Sequence, residues 1–278
     1  MAGLQFTKMH GAGNDYVFLD AFDPATHALL DCHDFSVLAR RVSNRNFGIG
    51  SDGLIVLAPA RDRSAAFAMW MWNSDGSRGS MCGNGLRCLV KLACDHGRVQ
   101  ASEFVVETDA GPRRATALRA ASGEVTGARI EMGLVTSERE PRLLEALGRT
   151  WSIHVADAGN PHAVIFVSDV ELAPVDELGA MLQAHPWFRG GVNVEFVEAR
   201  ADGTLVQRTF ERGSGETLAC GTGACAVASI ALSMGRVHGP RIRLQLRGGE
   251  LSVIVQAAGS LVLEGPAVTV FEGEFELS

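Results

Sequence analysis

Two cysteines occupy the same place in two similar segments, Met81-Cys82-Gly83-Asn84-Gly85 and Ala219-Cys220-Gly221-Thr222-Gly223. Each segment opens an apolar stretch with helical spacing, so each cysteine falls at a helix start. A helix N-terminus has unpaired N–H groups and partial positive charge, which stabilise a thiolate and lower a thiol's pKa. The glycines that follow let a substrate approach the backbone, and the same N–H groups can hold a carboxylate. A thiolate and a thiol on opposite faces of one carbon can remove a proton from one side and return one to the other. That is the chemistry needed to invert an amino-acid stereocentre, and the two thiols exchange roles in the reverse direction. Charge developing on the substrate carboxylate would be stabilised by two convergent helix starts without any cofactor.

The other cysteines carry no such pattern. Cys88, Cys94 and Cys225 fall inside the same helices and read as core, as does Cys32. No Cys-x-x-Cys and no histidine pair has zinc-ligand spacing, so no metal is expected. Gly48-Ile49-Gly50-Ser51-Asp52-Gly53 matches a dinucleotide-binding spacing, but a strand follows it where a helix is required, so it reads as a turn. The chain has two lysines, Lys8 and Lys91, one in an opening strand and one inside a helix. Neither has phosphate-cradling residues beside it, which argues against pyridoxal chemistry.

The elements that must position the cysteines are mostly short strands, expected at 4–9, 16–20, 53–58, 66–72, 103–108, 125–132, 152–156, 163–167, 192–199, 206–211, 241–246, 250–256, 260–264 and 269–271. Helices are expected at 35–43, 83–96, 175–183 and 221–234. This mixture predicts an α+β fold on curved sheets. The pattern also repeats. Gly13-Asn14 and Gly159-Asn160 each precede a strand, and Asn73 and Glu211 each stand at a strand end nine residues before a cysteine. The two cysteines lie about half the chain apart. Two similar domains follow, 1–122 and 123–266, with a seam near 120–125 and a C-terminal strand in 267–278 completing the first.

Composition sets the outer limits. A chain of 278 residues, 46% hydrophobic and 21% charged, can bury a sizeable core. A net charge of -7 with scattered basic residues speaks against a nucleic-acid partner. Nothing reads as a signal peptide or approaches the ~20 apolar residues of a membrane span, so the expected location is the cytoplasm, with reduced thiols and no membrane partner.

Seven segments in order resemble the diaminopimelate epimerase family over nearly the full length. They are Lys8–Asp15 (KMHGAGND), Gly48–Leu54 (GIGSDGL), Asn73–Ser77 (NSDGS), Met81–Cys88 (MCGNGLRC), Gly159–His162 (GNPH), Asn193-Val194 after Val192, and Glu211–Ala224 (ERGSGETLACGTGA). The resemblance implies a pyridoxal-independent isomerase that interconverts LL- and meso-2,6-diaminopimelate for lysine and peptidoglycan synthesis. It implies two similar domains, each a barrel-like, mostly antiparallel sheet around a central helix, with the site in the cleft. The family's thiol pair maps onto Cys82 and Cys220, with His162 and Glu211 at positions that assist proton transfer. Asn14, Asn73, Asn160, Asn193, Glu211 and Arg212 match substrate-holding positions, and Gly83, Asn84, Gly221 and Thr222 match the backbone cradle for the reacting carboxylate. Gly53 is a departure: some relatives carry Gln at this position near the substrate.

The residue types suit such a substrate. Arg212 can grip a carboxylate with its planar fork, Glu211 can pair with an ammonium, and the asparagines offer donor and acceptor without charge. The alternative is a proline racemase or hydroxyproline epimerase, which shares the fold and paired cysteines but typically carries His where this chain has Asn84. A carboxylate-based isomerase would lack both cysteines, and a binding protein that had lost the reaction would lack one. The expected partners are the amino-acid substrate and a second copy of the chain in a homodimer.

Overall fold

Ala12 and Gly13 take positive φ angles of 54° and 83°, a tight reversal that folds strand Gly3–Gly11 back along strand Asn14–Asp20. In this computed structural model, which describes residues 3–30 and 33–277, the chain continues through helices α1 (Pro24–Leu30) and α2 (Phe35–Ser43). It enters strand Gly53–Ala58, parallel to Asn14–Asp20, and turns back as the antiparallel strand Phe67–Asn73. Helix α3 (Gly83–Asp95) then leads to Glu103–Glu107, parallel to Phe67–Asn73, and the strands Arg113–Arg119 and Val125–Gly133 finish a meander. The C-terminal strand Val268–Glu276 pairs antiparallel with Gly3–Gly11, from Gly3 opposite Glu276 to His10 opposite Val268.

The second half follows the same path. Strand Arg149–Asp157 folds back as Pro161–Phe166, and helix α4 (Val175–Gln183) crosses to the parallel strand Asn193–Ala199. Leu205–Glu211 is its antiparallel neighbour, helix α5 (Gly221–Ser233) crosses to the parallel strand Arg241–Leu246, and Gly249–Val255 and Leu261–Pro266 close the meander. The chain divides into two compact units, Met1–Ile130 with Gly265–Ser278, and Glu131–Glu264. With 19 strands and five helices among the described residues, the fold is α+β.

In each unit one helix covers one face of the sheet. Asp34 caps α2 by accepting from Ser36 N–H (2.9 Å), and Phe35, Leu38, Ala39 and Val42 pack on Val17, Leu19, Leu54 and Val56. Helix α4 likewise sets Val175, Leu178 and Leu182 on Ile153, Ile165, Val194 and Phe196. The cysteine-capped helices lie against other residues of the same strands. Helix α3 contacts strands Gly3–Gly11, Asn14–Asp20, Gly53–Ala58 and Arg113–Arg119, and every residue from Gly83 to Ala93 is buried. Helix α5, rich in alanine, meets this burial with small apolar side chains, whereas α3 buries Asn84, Arg87 and Lys91 with hydrogen bonds to Asn14 Oδ1, Pro266 O and Val125 O. Strands covered on both sides become continuous apolar runs, as in Gly53–Ala58, where all six residues are buried. Each fully buried side chain such as Leu86 or Leu89 stabilises the fold by roughly 1.5–3 kcal/mol.

The division between units falls at Ile130/Glu131, not near 120–125. The Ala120–Gly123 stretch is a hairpin turn inside the first unit, closed by Ala120 N–H to Glu124 O (2.9 Å) with Gly123 at φ 90°. Small turn residues made it look like a linker. The sequence reading also passed over α1 and the strands Arg113–Arg119 and Arg142–Ala146. Ala115 and Ala117 are the buried residues of Arg113–Arg119, and alanine carries little strand signal.

Candidate active site

Cys82 and Cys220 are the N-cap residues of α3 and α5. Both have extended backbone (φ −130°, ψ 120° and φ −122°, ψ 115°), and each Sγ accepts the N–H three residues on, Gly85 and Gly223, both at 3.4 Å. The first i→i−4 bonds run from Leu86 N–H to Cys82 O (2.8 Å) and from Ala224 N–H to Cys220 O (2.9 Å). Gly83, Asn84, Gly221 and Thr222 therefore form the first turns, whose N–H groups precede the helical ladder.

Strand register makes the two sites equivalent. Val17 pairs with Leu54 in one unit as Ala163 pairs with Val194 in the other, which places Asn14 and Asn160 at matching positions. Leu54 opposite Trp72 corresponds to Val194 opposite Phe210, so Gly53 matches Asn193 and Asn73 matches Glu211.

Around Cys82, Asn14 is the organising side chain. Its Oδ1 accepts from Cys82 Sγ (3.4 Å) and from Asn84 Nδ2 (3.4 Å), while its Nδ2 donates to Asp52 Oδ2 (2.7 Å). Asp52 also accepts from Asp15 N–H (3.0 Å) and pairs with Arg45 (3.0 Å), so it fixes which way the Asn14 amide points. Burial, reinforced by the nearby Asp15 charge, raises the Asp52 carboxyl. Burial would also raise Asp15, but hydrogen bonds from Arg45 and Lys8 outweigh it and hold that carboxyl low. Asn73 donates to Ser77 Oγ (2.9 Å). Gly53 lies buried opposite Asn73, and a Cβ there would stand 2.2 Å from Trp72 O, so this strand position admits no side chain.

The Cys220 surroundings are more acidic. His162, fully buried, sits between Glu195 Oε1 at Nδ1 (2.8 Å) and Asn160 Oδ1 at Nε2 (3.0 Å). Glu211 accepts from Thr217 Oγ1 (2.6 Å), and its carbonyl accepts from Gln183 Nε2 (2.8 Å). Asn193 Oδ1 holds Arg212 N–H (2.8 Å), while the Arg212 guanidinium reaches Gly190 O (3.2 Å). Burial raises the Glu211 carboxyl despite its bonds to Thr217 and Cys220. Burial, then the charges of Glu211 and Glu195, push the Cys220 thiol well above its ordinary value, against the pull of Thr222 and Gly223 N–H. A lowered pKa at this helix start was the expectation from sequence. The opposite holds because full burial and two carboxylates outweigh the helix terminus.

Sequence reasoning missed Asp52, Thr217 and Glu195. Glu195 had one available signal: it lies two residues after Asn193, on the same face of a strand. Both lysines have structural partners, Lys8 with Asp15 and Gly50 O, Lys91 with Val125 O (2.7 Å) and Asp95 (3.0 Å). Among the described residues no group of three or more His, Cys, Asp or Glu is arranged to hold a metal ion, and no helix is long and apolar enough to cross a membrane.

This duplicated architecture is shared with solved structures. One is a hydroxyproline epimerase from Agrobacterium vitis with bound trans-4-hydroxy-L-proline (TM-score 0.74, 20% identity, 99% of this chain and 93% of that one). At that identity the likeness shows the fold alone, which here is an α+β class of two similar, sheet-rich units with few helices. The sequence goes further and matches the diaminopimelate epimerase family over residues 6–135 and 154–270. The diaminopimelate epimerase of Leptospira biflexa is 40% identical, covering 99% of each chain, and that of Bacillus mycoides is 40% identical over 99% of this chain and 98% of its own. The chain belongs to the diaminopimelate epimerase family.

Proposed function

We propose that this enzyme epimerises LL-2,6-diaminopimelate to meso-2,6-diaminopimelate by proton transfer between Cys82 and Cys220, with no cofactor. The observation that carries the reading is the occurrence, in a chain matched to this family along its length, of two cysteines as N-caps at equivalent places in two repeats. One thiol, ionised, takes the α-proton while the other delivers a proton to the opposite face of the same carbon. The raised Cys220 thiol suits the proton-carrying member in the unliganded enzyme. The first-turn N–H groups at Gly83, Asn84, Gly221 and Thr222 hold the reacting carboxylate and take up the charge that grows on it.

The remaining charges of the substrate have matching partners. Arg212 takes the distal carboxylate, and Glu211 an ammonium. Asn14, Asn73, Asn160 and Asn193 orient the rest without adding charge. His162 and Glu211 support the Cys220 side of the transfer. Gly53 contributes backbone only, since it has no space for a side chain. Thiol acid/base chemistry needs reduced cysteines, in keeping with a cytoplasmic enzyme.

The test is α-proton exchange. Reduced enzyme with LL-diaminopimelate in D2O, without pyridoxal, is followed by NMR beside Cys82→Ala and Cys220→Ala. Deuterium at one α-centre with meso product, lost in both variants, is the expected result. Full turnover in either variant sinks the two-thiol mechanism, and exchange with proline or hydroxyproline instead of diaminopimelate sinks the substrate assignment.

A further inference from the structure

We propose that Glu195 is a positioning residue of the Cys220 half-site: it fixes the His162 ring through Nδ1, and its buried carboxylate contributes to the charge that the Cys220 thiol faces. The proposal rests on Cys220 being one of the two acid/base thiols.

Glu195 and His162 are both 0% exposed and paired at 2.8 Å. The other ring nitrogen faces Asn160 Oδ1, so the imidazole is gripped at both ends. Glu211, the other carboxylate of this half-site, is engaged by Thr217, which leaves Glu195 as the carboxylate that holds the ring. Glu195 also sits against the helix that carries the thiol. Its Oε1 lies 2.5 Å from where a Cβ on Gly223 would stand, in the first turn of α5, and Gln207 Nε2 lies 3.2 Å from the same point. Glu195 Oε2 and Gln207 Oε1 have no hydrogen-bond donor among the described residues, so His162 is the side chain that holds this carboxyl group. A buried carboxylate with a single partner keeps both that partner and its own position fixed. The groups facing Cys220 are then Glu195 from strand Asn193–Ala199, Glu211 from strand Leu205–Glu211, Thr222 from α5, and His162 behind Glu195.

Glu195→Gln keeps the shape and removes the charge, while Glu195→Asp keeps the charge and shortens the reach. In Glu195→Gln, kcat is expected to fall about tenfold or more with KM within about threefold, the scale of a disturbed proton transfer. The pH midpoint for iodoacetamide alkylation of Cys220, read by peptide mass spectrometry without substrate, moves lower because a negative charge has gone. Glu195→Asp keeps the wild-type midpoint and recovers part of kcat. Placed on His162→Gln, Glu195→Gln costs little further kcat, since it acts through that ring. An unchanged kcat and midpoint in Glu195→Gln, or a fully additive double variant, overturns the proposal. Should Glu195→Gln not fold, Glu195→Asp decides: a lowered kcat with a wild-type midpoint is expected, and a shifted midpoint with wild-type kcat overturns it. Failure of wild-type enzyme to turn over diaminopimelate counts against the function alone, because the midpoint needs no turnover.

Discussion

Replacing Gly223 by alanine sets two effects against each other. In a helix interior the change alone stabilises by about 1 kcal/mol, because glycine loses more backbone freedom on folding. Here the new Cβ stands 2.5 Å from Glu195 Oε1, roughly an ångström inside normal contact. A free carboxylate would swing aside, but this one is 0% exposed and tied to His162 at 2.8 Å. Overpacking costs about 1–3 kcal/mol and a weakened charged hydrogen bond about 1.5–3 kcal/mol more, so the loss outweighs the helical gain. We expect Gly223→Ala to be destabilised by about 1.5–5 kcal/mol, with a Tm lower by roughly 2–4 °C per kcal/mol. Differential scanning calorimetry of the reduced protein measures this. A Tm at or above wild type would refute the reasoning, for it would mean that the Glu195 carboxylate is not held where the hydrogen bonds place it.

Asp52→Ala frees the Asn14 amide, and the loss of one charged hydrogen bond, about 1.5–3 kcal/mol, predicts a fall of about tenfold or more in kcat/KM; unchanged kinetics would show that Asn14 needs no such support. Burial pushes the Cys88 thiol up to about 12, so iodoacetamide at neutral pH should leave Cys88 unmodified in native protein, and rapid labelling there by mass spectrometry would contradict its burial. The His96 imidazole is raised above its ordinary 6.5 by its hydrogen bond to Asp20. Stability from that pair is fully present below about pH 6.5 and is lost as pH rises through the higher folded value, reduced by partial exposure. Urea midpoints of wild type and His96→Gln should therefore converge with rising pH, and a gap that widens would reverse the sign.

Features written in neighbouring residues were legible in the sequence. Cysteine, glycine and a following apolar stretch specify a capped helix locally, so Cys82 and Cys220 could be placed at helix starts. Asn73 and Glu211 end their strands, as their spacing from the cysteines indicated. Relations made by the fold were not legible. Glu195 lies in Val-Glu-Phe, within a buried run, and its partner His162 is 33 residues away on a parallel strand. The upward shift at Cys220 required knowing that Glu195 and Glu211 converge on it. The hairpin at 120–123 and the boundary at Ile130/Glu131 differ only in which strands they join, and a list of turn residues does not carry that.

The antiparallel pairing of Val268–Glu276 with Gly3–Gly11 bears on how the protein is made. Strand Gly3–Gly11 leaves the ribosome about 260 residues before its antiparallel neighbour Val268–Glu276 and waits for it. The second unit, whose residues are contiguous, has all its strands available earlier. The half begun first is thus finished last, and until then Gly3–Gly11 offers an open backbone edge, the kind of surface that invites wrong pairing in a nascent chain. Arg87, wholly buried, donates to Pro266 O (3.2 Å) and Gly83 O (3.4 Å), so the arriving C-terminal segment docks on the very helix that Cys82 caps. That half-site is therefore completed only when this late segment has been made, and a chain cut short before residue 265 would lack it.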